Sequence, residues 1–376
     1  MGWPVFDQGF STPELTAVFS PETRAAAILE FEAALAMALA DAGIAPVAEA
    51  EAVAAACRDT RVDAASILDS TWEAGTPLIA LRDAVTVGLG EEVGRWFHYG
   101  ATTQDAVDTA HMLQTRQALS RLEEMLIAVA RRLHDLTIEY ADQPHMARTF
   151  LQDAVPTTFG FRTATWLDMV LDQVETMRAR RQSLAVQLGG PVGTLDGYGE
   201  TAVQLRASLA ERLSLAAPDI SWHSDRGRIL DLARAAESTA LAMAKIGLDI
   251  ALLSSSPIAE VEVRSGRSSS MSHKRNPMDS VRARAAATVC SGAVSMLTSS
   301  TSELDRGIGG WHVEWVALPL AMQSCGAAVE AMGQCLNTLE VDRETMTANA
   351  RGDRPVAPGV QAQIDDVSTR FHDLLG

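Results

Sequence analysis

The 376-residue chain is long enough for two or three domains or for one extended bundle, and 47% hydrophobic against 5% aromatic residues, with alanine, leucine and glutamate abundant, favours helices throughout. A formal net charge of −17 with no basic run excludes nucleic acid as a partner, whereas an anionic small molecule needs only a local cluster of arginine and lysine. No apolar run is long enough for a membrane span and the first residues lack the pattern of a signal peptide, so a cytoplasmic protein with no membrane partner is expected.

Residues 13–43 read as helix, with Ser20 as cap, Pro21 and Glu22 opening the longer segment and Gly43 closing it. Shorter helices are expected over 48–58, 62–70 and 76–89. A polar, glycine-broken stretch, 97–109, then leads into a long helix to 140. In that helix Leu119, Leu122, Leu126, Val129, Leu133 and Leu136 follow alternating steps of three and four, the seam of a bundle. By residue type alone Thr102, Thr103 and Asp105 could simply cap this helix, and His98 beside aromatics could be a satisfied structural histidine.

A second polar block, 147–160, precedes another long helix expected to run through Leu184 to Leu188, with Gly189 and Gly190 as its stop. Helices over 229–253, 278–300 and 315–339 follow, making five long ones of about 35 to 50 Å each at the helical rise. The end, 340–376, offers a short helical stretch, a loop and a final helix over 361–375. Cys57, Cys290, Cys325 and Cys335 lie scattered without metal-ligand spacing and are expected to be buried free thiols.

Between two of these apolar segments lies Gly266-Arg267-Ser268-Ser269-Ser270-Met271-Ser272-His273-Lys274-Arg275-Asn276-Pro277, a polar run that a solvated surface loop could also show. In register, Ser268, Ser269, Met271, Lys274, Asn276 and Pro277 resemble the signature loop of the fumarase/aspartase superfamily, with Arg267 where that loop has glycine and Ser272 where it has proline. Residues 98–105 resemble the superfamily's first block, 147–160 its second, and Gln187-Leu188-Gly189-Gly190-Pro191-Val192-Gly193-Thr194 its glycine turn. The blocks at 222–226 and 303–315, and the opening at 18–36, resemble the 3-carboxy-cis,cis-muconate cycloisomerase branch. The likeness covers roughly residues 10–349, most of the chain.

That resemblance implies an all-α fold: an N-terminal helical domain over 1–98, an elongated central bundle of five long helices over 99–339 carrying the signature loop at 264–277, and a shortened C-terminal remnant over 340–376. It implies a homotetramer whose sites are shared between subunits. Ser268 becomes the general base that takes a proton next to a carboxylate, its oxyanion supported by loop amides and Lys274. His98 approaches the same pocket, and Thr102 and Thr103 hold a substrate carboxylate at the helix start. Arg148, Thr149, Phe150, Gln187, Ser269, Met271 and Asn276 complete the substrate contacts. Arg306 either clamps a carboxylate in two parallel hydrogen bonds or bridges to Glu303 or Asp305. His223 and Arg226 are expected to cap or to pair at a subunit contact.

Related lyases carry a proton-transferring histidine where this chain has Phe150, and the cycloisomerase branch has an apolar or aromatic residue there. The expected reaction is therefore the interconversion of 3-carboxy-cis,cis-muconate and a carboxymuconolactone in protocatechuate breakdown, on a polycarboxylate substrate and without metal or organic cofactor. The alternatives are a fumarate-releasing carbon-nitrogen lyase and an inactive scaffold. Pro257, Arg267, Ser272 and Leu304 are the departures that favour the last; at Arg267 an arginine is tolerated if φ is negative and blocks the loop if φ is positive.

Overall fold

The computed structural model describes residues 8–63, 67, 71–72, 74–264, 266–267, 271, 274–300, 302, 304–351 and 355–376. Two α-helices open it, α1 (Pro13–Val18), of six residues, and α2 (Pro21–Asp41), of 21. Each starts on a proline behind a hydroxyl cap: Thr12 accepts from Leu15 N–H, and Ser20 accepts from Thr23 N–H at 3.2 Å. Helices α3 (Val47–Asp59), α4 (Leu78–Thr86) and α5 (Gly90–Gly94) follow. Most of the helix expected over 62–70 lies outside the described residues.

The five long helices are α6 (Thr103–Glu139), α7 (Phe159–Gln182), α9 (Gly227–Leu253), α10 (Met278–Thr298) and α11 (Gly310–Asn337), with α8 (Ala202–Leu213) between α7 and α9. The 37 residues of α6 reach about 55 Å. Along it the six seam residues from Leu119 to Leu136 are all buried, and each such leucine contributes about 2 kcal/mol by leaving water. Helix α6 packs on α7 and α11, α9 packs on α10 and α11, and α10 packs on α11. A second core joins α2, α3 and α4 to the first turns of α6 and to α8, through Leu35, Leu81, Leu113 and Leu205. The chain closes with α12 (Arg343–Asn349) and α13 (Gly359–Leu375), the latter lying on α7. All four cysteines are free and buried, and burial pushes the Cys57 and Cys290 thiols up to about 12.

One expectation is corrected. Helix α7 stops at Gln182, so Gln187 lies beyond it in an extended segment: Val186 N–H donates to Ala216 O (3.0 Å) and Ala216 N–H to Leu184 O (2.8 Å). Leu184 and Leu188 are buried there just as a helix seam would bury them, which is why their spacing misleads. The second block is an antiparallel hairpin, β1 (Pro144–Thr149) and β2 (Gln152–Thr158). Two further pairs of short strands are absent from the sequence reading because long-range partners make them: β3 (Val261–Val263) pairs with β6 (Leu339–Val341), and β4 (Gly266–Arg267) with β5 (Arg275–Asn276).

Candidate active site

Four sequence blocks meet at the start of α6, and two buried carboxylates one turn apart hold them there. Asp105 is fully buried and accepts from Thr102 N–H (3.0 Å), Gly189 N–H and Gly190 N–H (2.9 Å each), and it lies 2.7 Å from His223 Nε2. Asp108, equally buried, accepts two parallel bonds from Arg226 (2.8 and 3.0 Å) and one from Trp311 Nε1–H (2.9 Å). Burial works against the Asp108 anion, but Arg226 holds its carboxyl below the usual range; Glu314, on the other side of Arg226 (2.5 Å), is pushed up by burial. Arg226 and His223 thus find partners inside one chain. The capping position of Asp105 was readable, but nothing local announced that both carboxylates gather distant blocks.

Around this frame stand the expected ligand-binding groups. Thr102 is the helix cap and Thr103 Oγ1 lies 3.0 Å from Thr76 Oγ1, both threonines half-buried. His98 has φ 60°, and Glu32 of α2 takes both its backbone N–H (3.0 Å) and its ring, with Nδ1 at 2.6 Å. Burial alone would lower that imidazole; the Glu32 carboxylate outweighs it and the net shift is upward. Next to it Gly100, at φ 69°, leaves room for the Tyr198 ring, 2.6 Å from where a Cβ would stand.

Arg306 donates to Gln104 Oε1 (3.2 Å) and to the carbonyls of Gly190 (3.1 Å) and Pro191 (2.6 Å), so its guanidinium sits beside the helix start and forms no ion pair with Asp305 among the described residues. Gln187 is fully buried and its amide is spent inside the protein: Oε1 accepts from Trp222 N–H (3.0 Å) and Nε2 lies 3.4 Å from Asp108. It builds the frame and offers no amide to a ligand.

The signature loop rises from a two-strand stalk in which Gly266 faces Asn276 and Arg267 faces Arg275. A Cβ on Gly266 would stand 2.6 Å from Asn276 O, so the close approach requires glycine there. Arg267 lies in the β4 strand of the stalk, in register with Arg275. Lys274 and Met271 are exposed, with Lys274 N–H donating to Met271 O (3.1 Å). Ser268, Ser269 and Ser272 lie outside the described residues.

Thr149 and Phe150 occupy the β1–β2 tip. Thr149 pairs with Gln152, leaving a two-residue turn in which Phe150 (φ 52°) and Leu151 (φ 62°) both take the left-handed conformation. Phe150 is 99% exposed and Leu151 71%. Arg148, expected among the substrate contacts, is instead engaged by Glu260 and Asp153.

A family model described as lyase matches residues 9–292. The chain belongs to this lyase family, part of the fumarase/aspartase superfamily. It is 39% identical over 355 residues to the 3-carboxy-cis,cis-muconate cycloisomerase of Pseudomonas aeruginosa, covering 92% of this chain and 77% of that one. A nitrosuccinate lyase of Streptomyces davaonensis is 32% identical, over 92% and 77% of the two chains. The solved 3-carboxy-cis,cis-muconate lactonizing enzyme of Pseudomonas putida superposes with a TM-score of 0.91 at 28% identity, over 99% of this chain and 100% of that one. Among the described residues no helix is long and apolar enough to cross a membrane.

Proposed function

We propose that this lyase-family enzyme interconverts 3-carboxy-cis,cis-muconate and a carboxymuconolactone. The observation that carries the reading is Phe150: the hairpin tip presents an apolar ring where expelling an amine would call for a proton carrier. Lactone formation needs no such acid, because the oxygen that attacks, and that leaves in reverse, belongs to a carboxylate of low basicity. In the closing direction that oxygen adds to the diene and the negative charge moves to the carbon beside another carboxylate. Ser268 then delivers a proton to this carbon, and in the opening direction it takes the proton back. Lys274, Asn276, Ser269 and Met271 on the loop, and Thr102, Thr103, Arg306 and His98 at the start of α6, hold the carboxylates and the developing charge. The relatives named for 3-carboxy-cis,cis-muconate support the same substrate here.

The assembly in this reading is a cytoplasmic homotetramer with sites shared between subunits, and the three-part division at 98 and 339 belongs to the same proposal. Its support is the Phe150–Leu151 tip. Two large apolar side chains on left-handed backbone cost on the order of 1 kcal/mol each in strain, and exposed they gain nothing in return; a neighbouring subunit that covers them and completes the site would offset this. The deciding experiment supplies the protein with 3-carboxy-cis,cis-muconate and follows loss of diene ultraviolet absorbance, beside a panel of amino-substituted succinates assayed for fumarate. Lactonisation with little fumarate release is the expected result. Fumarate release from a succinate with the muconate untouched would replace the reading with that of a carbon-nitrogen lyase.

A further inference from the structure

We propose that Glu260 is a positioning residue: its buried pair with Arg148 ties the Thr149–Phe150 hairpin tip to the stalk of the signature loop and sets the distance between the two. The inference rests on the reading above, in which both segments carry parts of the reaction. Glu260 is fully buried. It accepts two parallel bonds from Arg148, Nη1 at 3.1 Å and Nη2 at 2.5 Å, and a third from Asn349 Nδ2 at 3.0 Å, while His145 Nδ1 lies 3.3 Å away. The same guanidinium reaches Asp153 Oδ1 through Nε (3.1 Å), so one side chain grips both strands of the hairpin and Glu260 at once. On the loop side, Glu260 N–H donates to Leu253 O (2.9 Å), its carbonyl accepts from Asp342 N–H (3.0 Å), and the next residue begins β3, which runs into the stalk.

The fork of two parallel bonds fixes orientation as well as distance, which a single contact could not do. Burial raises the cost of the Glu260 anion, but the nearby His145 ring and the hydrogen bonds from Arg148 and Asn349 hold the carboxyl at about 2, so the strut stays charged at any working pH. A buried ion pair adds little stability over well-packed apolar side chains, so stability alone is a poor reason for this one. Geometry is a better one: Arg148 stands two residues before a strained turn and Glu260 six before the loop stalk, and a misplacement of about 1 Å at a reacting centre costs on the order of a hundredfold in rate.

The test compares Glu260→Gln, Arg148→Gln, their double variant and Arg148→Lys in the full-length protein, by steady-state kinetics on the muconate and by hydrogen exchange. Turnover should fall about 30-fold in either Gln variant with KM changed by less than about threefold, and the double variant should be no worse than either single one, because the pair acts as a unit. Arg148→Lys, which keeps charge and loses the fork, should recover only part of the rate. Amides of 144–158 and 261–264 should lose protection together while those of α6 and α10 keep theirs. Unchanged turnover, multiplying single effects, or protection lost evenly through the bundle would overturn the strut. If the wild type leaves the muconate untouched, the functional reading fails, and the exchange arm still decides: joint loosening of the two segments supports the strut and independent loosening refutes it. Should Glu260→Gln fail to fold, Arg148→Lys carries the same comparison alone.

Discussion

The polar groups at the start of α6 and those on the hairpin and signature loop have opposite surroundings. Asp105, Asp108, Gln187, His223, Arg226 and Glu314 are enclosed and hydrogen-bonded to one another within one chain. Phe150 and Leu151 at the hairpin turn, and Met271 and Lys274 between the stalk strands, are exposed. The first set spends its hydrogen-bonding capacity on holding four sequence blocks in place, so it behaves as a frame. The second lies exposed and needs something to close on. A family fold can therefore be complete in one chain while its proposed reaction centre is only half enclosed by it.

The largest effect should come from the open side. Ser268→Ala removes one hydroxyl from the loop and should lower lactonisation about a thousandfold or more, roughly 4 kcal/mol of transition-state stabilisation, with thermal stability unchanged. Light scattering should give the same tetramer for wild type and variant. Near-normal turnover in a folded tetramer would remove Ser268 from the mechanism, and a stable monomer with full activity would remove the shared site.

What could be read in advance divides along the same line. The leucine steps of α6, the Ser20–Pro21 helix start and the polar breaks before each long helix are local signals, and the helices appear where those signals put them. The hairpin at 144–158 and the stalk at 266–276 are made by pairing between strands too short to show a period, so only their residue types were visible. The blocks of the frame were visible one by one. Their convergence on Asp105 and Asp108 was not, because residues about 80 to 200 positions apart meet there through packing of the bundle, which no local spacing encodes.

The frame should answer to a second substitution in stability first. Asp108→Ala leaves Arg226 buried with Glu314 alone and strips Trp311 Nε1–H of its acceptor, so unfolding free energy should drop by on the order of 3 kcal/mol in denaturant titration. Leu304→Ala, on an exposed turn of the same block, should stay within about 0.5 kcal/mol of wild type. Equal effects of the two would erase the distinction between an enclosed frame and an open rim.

At pH 7 a smaller effect than that of Asp108→Ala, and the sharpest for the frame, concerns His111, one turn beyond Asp108 on α6. It is fully buried, and neither ring nitrogen has a hydrogen-bond partner among the described residues. Burial, and then the charge of Arg24, push its imidazole down to about 3, with Asp108 raising it and Arg226 lowering it further. The folded state therefore keeps His111 neutral while the unfolded chain protonates it below 6.5, so the unfolded state binds more protons between pH 6.5 and 3 and stability falls as pH falls through that window. His111→Leu replaces an unpartnered polar ring by an apolar side chain of similar size and should raise stability by about 1 to 2 kcal/mol at pH 7. Its advantage should grow by about 2 kcal/mol more at pH 5, where the wild type bears the proton penalty and the variant does not. Parallel stability curves for the two proteins between pH 7 and 5 would show that His111 has a partner in solution, and that this part of the frame is less dry than its enclosure implies.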